Sequence, residues 1–196
     1  MTGHAETIFT DEAMTRPLFE EPTPAIERED PFSGPQGFML GGMAQATTAS
    51  LAQEYFDAAH LIVETIKRGE WEDYKLANAA LFLYRHSTEL VLKAALGRHE
   101  RTHDLARLAD RFAELVRKRY GQDVPAWIIE RIKELAAIDP GSVAFRYGQY
   151  LDPLDDQGAP LSGEIHIDLR HLQSAMQALN SALIGAIAEL ALAEGR

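Results

Sequence analysis

The chain contains no cysteine. Disulfides, thiolate chemistry and cysteine-ligated zinc are excluded at once. It has no uninterrupted run of about 18 apolar residues, so no membrane span is expected. The opening residues, Met1 to Met14, lack a basic start and a continuous apolar core, and do not read as a secretory signal. The expected compartment is therefore the cytoplasm. No phosphate-binding glycine loop, nucleophile elbow or zinc-helix motif occurs. Positive charge is also scarce. Nineteen Lys and Arg face 30 Asp and Glu, for a net charge of -11, which argues against broad, non-specific binding to a nucleic-acid backbone. Much of that excess sits in residues 1–46, where Glu6, Asp11, Glu12, Glu20, Glu21, Glu27, Glu29 and Asp30 oppose only Arg16 and Arg28. The remainder is closer to neutral and can carry a local basic patch.

Residues 1–46 read as an acidic tail. Pro17, Pro22, Pro24, Pro31 and Pro35 break any helix, and Gly34, Gly37, Gly41 and Gly42 add freedom. Either this is a disordered leader, or Ile8, Phe9, Leu18, Phe19 and Phe38 to Leu40 dock it on a groove or a partner. Residues 47–196 read as one all-α domain. A first helix from Thr47 to Lys67 repeats Leu51, Tyr55, Ala58, Ala59, Ile62 and Ile66 at helical spacing, with Thr48 or Ser50 as N-cap and Gly69 as its stop. A second runs from Asp73 to Leu96. A third, with Leu105, Leu108, Phe112, Leu115 and Val116 inward, is capped by Thr102 or His103 and closes on Arg117, Lys118 and Arg119. A fourth starts at Pro125, turns Trp127, Ile128, Ile132 and Leu135 to one face, and stops at Asp139-Pro140-Gly141. Residues 142–167 mix β-branched, aromatic and turn-forming residues, which predicts an extended or hairpin-like insert. Asp168 then caps a last helix to Ala193, with Leu169, Leu172, Met176, Leu179, Leu183, Ile187 and Leu190 on its inner face. Short connections between about five helices imply an antiparallel helical bundle.

The second helix carries the most information. From Asn78 to Lys93 it is apolar nearly all round, which places it in the middle of a bundle. Yet Arg85, Glu89 and Lys93 share one face at i, i+4 and i+8, beside His86. Buried charges are costly unless paired. The stripe is either a structural ladder in which Glu89 bridges Arg85 and Lys93, or the floor of a site where Arg85 and Lys93 offer donors to a phosphate. Two further sets have the same double meaning. Arg98-His99-Glu100-Arg101-Thr102-His103 is either a solvated turn or an anion-holding Arg98 with His103 as acid–base catalyst. Phe145-Arg146-Tyr147-Gly148-Gln149-Tyr150 either lids the bundle, with Arg146 paired to Glu89 or an aspartate, or stacks a base on Tyr147 and Tyr150 while Arg146 holds phosphate. The seven histidines, His4, His60, His86, His99, His103, His166 and His171, show no metal-ligand spacing. Neither a metal nor a cofactor is expected.

Leu83 to Lys93 on the second helix, His103-Asp104-Leu105 opening the third, and Phe145-Arg146-Tyr147 before the last together resemble the HEPN superfamily. The resemblance covers about residues 47–193. It implies a dimerising helical bundle that handles RNA or nucleotides, often in bacterial toxin–antitoxin or phage-defence modules. In catalytic members an Arg is followed four to six residues on by His, a spacing that Arg98 and His103 satisfy. Gly148 stands where a proline often follows Arg-Tyr, and the His-Asp-Leu opening is closer to branches that accompany nucleotidyltransferases.

Two functions follow from this reading. One is a cytoplasmic, homodimeric RNA- or nucleotide-binding domain, acting as a metal-independent endoribonuclease through Arg98 and His103. Arg85, His86, Glu89, Lys93, Arg146, Tyr147 and Tyr150 would then line its ligand site. The other is a non-catalytic interaction module whose partner is an antitoxin, a nucleotidyltransferase or another neighbour-encoded protein.

Overall fold

The computed structural model describes Thr15, Pro17, Phe19 and residues 45–97, 100–147 and 166–194 of the chain. The chain divides between Gln45 and Ala46 into two units, and the second carries six helices among its described residues. They are α1 (Thr48–Lys67), α2 (Asp73–Leu96), α3 (Leu105–Tyr120), α4 (Ala126–Ile138), α5 (Ala144–Tyr147) and α6 (Leu169–Glu194). No strand occurs among the described residues, and the fold is an all-α helical bundle. The acidic tail, apart from Thr15, Pro17, Phe19, Gln45 and Ala46, lies outside the described residues.

α2 is the central helix. It packs against α1, α3, α5 and α6, and its Tyr84, Val91 and Leu92 are buried. α1 contributes Ala52, Phe56, Ala59, Val63 and Ile66 to the same core. Ala59 and Ile66 are buried as expected, whereas Ala52, Phe56 and Val63 lie one position from the expected Leu51, Tyr55 and Ile62. Both faces of α1 are apolar, so periodicity alone does not fix its rotation. Packing against α2 does, with the Phe56 ring 5.6 Å from that of Tyr84 between centres. A similar offset affects α4. Ile128, Ile132 and Leu135 are buried, whereas Trp127 is 45% exposed. One residue is about 100° of helix, which puts Trp127 on the flank with Arg131.

Local chemistry sets the helix ends. Thr47 caps α1, its Oγ1 accepting from the Ser50 N–H at 3.0 Å while Ser50 Oγ accepts from the Thr47 N–H at 2.8 Å. The cap thus falls one residue before the expected Thr48, with Ser50 as its partner in a capping box. Asp104 caps α3 in place of the expected Thr102 or His103, because its carboxylate reaches the Arg107 N–H at 3.0 Å. Asp168 caps α6 as expected, accepting from the His171 N–H at 2.8 Å.

The largest departure falls between α4 and α6. Residues 144–147, expected to be extended, form the helical turn α5. Asp139 Oδ1 accepts from the N–H groups of Val143 at 2.7 Å and Ala144 at 2.9 Å, and Ser142 reverses the chain at φ 57°. A side-chain cap of this kind overrides the β-branched and aromatic composition. Residues 148–165 lie outside the described residues.

α6 supplies Met176, Leu179, Leu183 and Leu190 to the core. Among the described residues it is the one helix long and apolar enough to cross a membrane, with mean hydropathy 1.4 over Leu169–Leu192. A search for uninterrupted apolar runs passes over it, because Gln, Asn and Ser punctuate the apolar residues.

Leu92 is fully buried at the centre of the bundle. Leu92→Ala should destabilise the domain by about 2–5 kcal/mol, through lost burial and the cavity left behind. Urea unfolding followed by circular dichroism would measure this, and a midpoint shift no larger than that of a surface substitution would contradict the central placement of α2.

Candidate functional site

Arg85, at mid-length of α2, is fully buried. Its Nε donates to the Asp139 carbonyl at 2.9 Å, one terminal nitrogen to Glu89 Oε2 at 3.1 Å, and the other to the His103 carbonyl at 2.9 Å. One guanidinium therefore ties α2 to the entry of α3 and the end of α4. Asp139 Oδ2, buried without a hydrogen-bond partner, lies 3.4 Å from Arg85 Nε. The ion pair compensates part of the cost of burying that carboxylate.

Glu89 is the other hub. Its Oε2 takes Arg85, and its Oε1 takes Lys93 Nζ at 2.7 Å and His103 Nδ1 at 2.8 Å. Burial alone would push this carboxyl up. The ammonium of Lys93 and the imidazole of His103 reverse that effect and hold it below the usual carboxylate value. The Glu89 side chain is 1% exposed, whereas that of His103 is 65% exposed. With the carboxylate accepting from Nδ1–H, the imidazole is fixed as one tautomer and its Nε2 is left for an incoming group.

The neighbouring face of α2 is aromatic. His86 stacks on Phe82 with ring centres 5.6 Å apart and meets Tyr55 of α1 edge-on at 4.7 Å. Burial lowers its pKa below the ordinary histidine value. The negative Glu89 counters this, and the positive Lys93 and Arg85 reinforce it.

Arg85, Glu89, Lys93 and His103 thus come together in one cluster, with His86 beside it. Arg146 lies on α5, where its Nε donates to the Ser142 carbonyl within the same turn. Glu89, expected alongside an aspartate as a partner for Arg146, is bonded by Arg85, Lys93 and His103. Tyr147 closes α5, and Arg98 and Tyr150 lie outside the described residues. Sequence reasoning places Asp139 only in a helix stop and misses its part in the cluster. The available signal is an Asp four and five residues before two N–H groups at a helix start. Among the described residues no group of three or more His, Asp and Glu is arranged to hold a metal ion. No family model, curated protein or solved structure matches the chain.

Arg85→Ala should cost roughly 3–5 kcal/mol, because it leaves Asp139 uncompensated and removes a bond from buried Glu89. Chemical unfolding would measure it, and a change below about 1 kcal/mol would contradict the latch. Glu89 also predicts a pH dependence. A carboxyl whose folded pKa is depressed stabilises the fold above its unfolded value, about 4.5, and that contribution is lost as pH falls through the lower folded value. The acid limb of stability against pH should therefore be shallower in Glu89→Gln than in the parent.

Proposed function

We propose that residues 47–196 form a HEPN-like domain that binds RNA and cuts it as a metal-independent endoribonuclease. The observation that carries this reading is the exposed His103 imidazole held through Nδ1 by the buried carboxylate of Glu89. A buried acid that fixes the tautomer of an exposed imidazole is the usual way to present a general base.

In the proposed reaction His103 Nε2 takes the proton of a ribose 2′-hydroxyl. The 2′-oxygen then attacks the adjacent phosphorus, and the bond to the 5′-oxygen of the next nucleotide breaks. The products are a 2′,3′-cyclic phosphate and a 5′-hydroxyl, whose oxygen takes a proton from the imidazolium or from water. Glu89 stabilises the imidazolium as it forms. Lys93, held on the same carboxylate oxygen and 15% exposed, adds positive charge near the phosphate. Arg98, five residues before His103, is assigned to the charge that develops on the non-bridging phosphoryl oxygens. Arg85 acts as a positioning residue, because it holds both the His103 carbonyl and Glu89. The proposed setting is a cytoplasmic toxin–antitoxin or phage-defence module in which a second copy completes the cleft.

A second reading is favoured by one observation, that each of the three nitrogens of the buried Arg85 guanidinium donates to a protein group. In that reading the cluster is structural, and the domain is a non-catalytic module for a neighbour-encoded partner.

Incubating the purified chain with total RNA in EDTA separates the two. Cleavage that persists in chelator and falls by about 100-fold or more in His103→Ala is expected. Intact RNA with the parent protein, or equal cleavage by His103→Ala, would overturn the nuclease reading.

A further inference from the structure

A second cleft opens at the other end of α2, lined by the end of α1, the turn after it and the start of α6. Leu81 lines it, and eight residues separate Leu81 from Glu89, about 12 Å along the helix. We infer that this cleft is a separate binding site for a small, flat-ringed organic anion.

Its volume is about 830 Å³, within the range of roughly 300–1,000 Å³ usual for small-molecule sites. Val63, Ile66, Leu81 and Leu172 give it an apolar floor. At the rim, Trp71 is 56% exposed. A tryptophan beside an apolar floor offers a stacking surface for a planar ring. Arg170 lines the same cleft, and its guanidinium makes no hydrogen bond or ion pair among the described residues. Among the described residues, its donors are left unused by the protein, unlike those of Lys67.

A hydrogen-bond network underlies the cleft. Lys67 Nζ donates to Glu64 Oε1 at 2.8 Å and to the side-chain Oε1 of Gln173, while the side-chain Nε2 of Gln173 contacts Glu64 and His60 Nε2. His60 Nδ1 in turn lies 3.3 Å from the buried Tyr84 hydroxyl, whose pKa burial raises to about 12. This network leaves the charge of Lys67 largely answered by Glu64, so Arg170 is the anion-binding group.

Acidic groups narrow the ligand class. Asp73 and Asp168 also border the cleft. A strand of RNA, with a charge at every phosphate, would be repelled by them. One anionic group set opposite Arg170, with its ring on Trp71, avoids both. Mononucleotides and simple aromatic acids share this chemistry.

The test uses the full chain carrying Trp127→Phe, which leaves Trp71 as the sole tryptophan. Its emission is followed during titration with AMP and, separately, with anilinonaphthalene sulfonate. AMP binding alone would assign a nucleotide, and binding of the sulfonate would assign aromatic acids more broadly. A saturable change with either probe is expected, weakened about tenfold in Arg170→Gln by loss of one charge-assisted pair. The change should be unaltered by His103→Ala, and Arg170→Gln should cleave RNA as the parent does. That separates the cleft from the nuclease reading, since either can fail alone. No saturation at millimolar probe, or equal binding by Arg170→Gln with an unchanged melting profile, would overturn the assignment.

Discussion

The bundle depends on the placement of one guanidinium. Arg85 is fully buried and bonds to a carboxylate on its own helix and to two backbone carbonyls on other elements. Helix packing can bring α2, α3 and α4 near one another, but apolar contacts are non-directional and leave the chain entries to α3 and α5 undetermined. The planar fork of arginine supplies direction. By bonding the carbonyls of His103 and Asp139 it ties the entry of α3 and the exit of α4 to the middle of α2. Asp139 then caps α5 with its side chain. The positions of His103 and Arg146 therefore both trace back to Arg85.

This arrangement explains why α2 can bury charge. With a neutral His103, the cluster holds two cations, Arg85 and Lys93, against two anions, Glu89 and Asp139, and these balance. Desolvation is costly for each group alone, and the compensation comes from several short contacts converging on Glu89. The balance has a consequence for RNA. A neutral cluster exerts little long-range pull on a phosphate backbone, so under the proposed function attraction would come from exposed arginines near the start of α3, Arg101 and Arg107. Binding and chemistry would then fall to different residues.

The sequence discloses these features unevenly, for physical reasons. The ladder is legible because i, i+4, i+8 spacing puts Arg85, Glu89 and Lys93 on one face whatever surrounds them. The helix boundaries are legible to within a residue or two, because Gly69, Gly97 and Asp168 act locally. The rotation of α1 is not, since its two apolar faces compete and only packing against α2 chooses between them. The backbone partners of Arg85 are invisible for a deeper reason. A carbonyl carries no residue identity, so nothing in the letters at positions 103 and 139 announces that their main chains will accept a buried guanidinium. The meeting of His103 and Glu89, 14 residues apart, follows from that latch and is hidden with it.

His103 is the member of the cluster that can separate chemistry from architecture. Arg85, Glu89 and Asp139 are interdependent, and removing any one strands a buried charge, so lost activity in those variants would also follow from lost structure. His103 differs in two ways. Its ring is mostly in solvent, and Glu89 keeps Arg85 and Lys93 when the ring is gone. The Arg85 bond to residue 103 runs to the backbone carbonyl, which alanine retains. Removing this imidazole thus takes away one ligand of Glu89 and almost none of the frame. If the cluster is only a scaffold, the ring serves to offset the burial of Glu89, and its loss moves stability alone. If it is a site, that ring is the part of the assembly left facing the substrate.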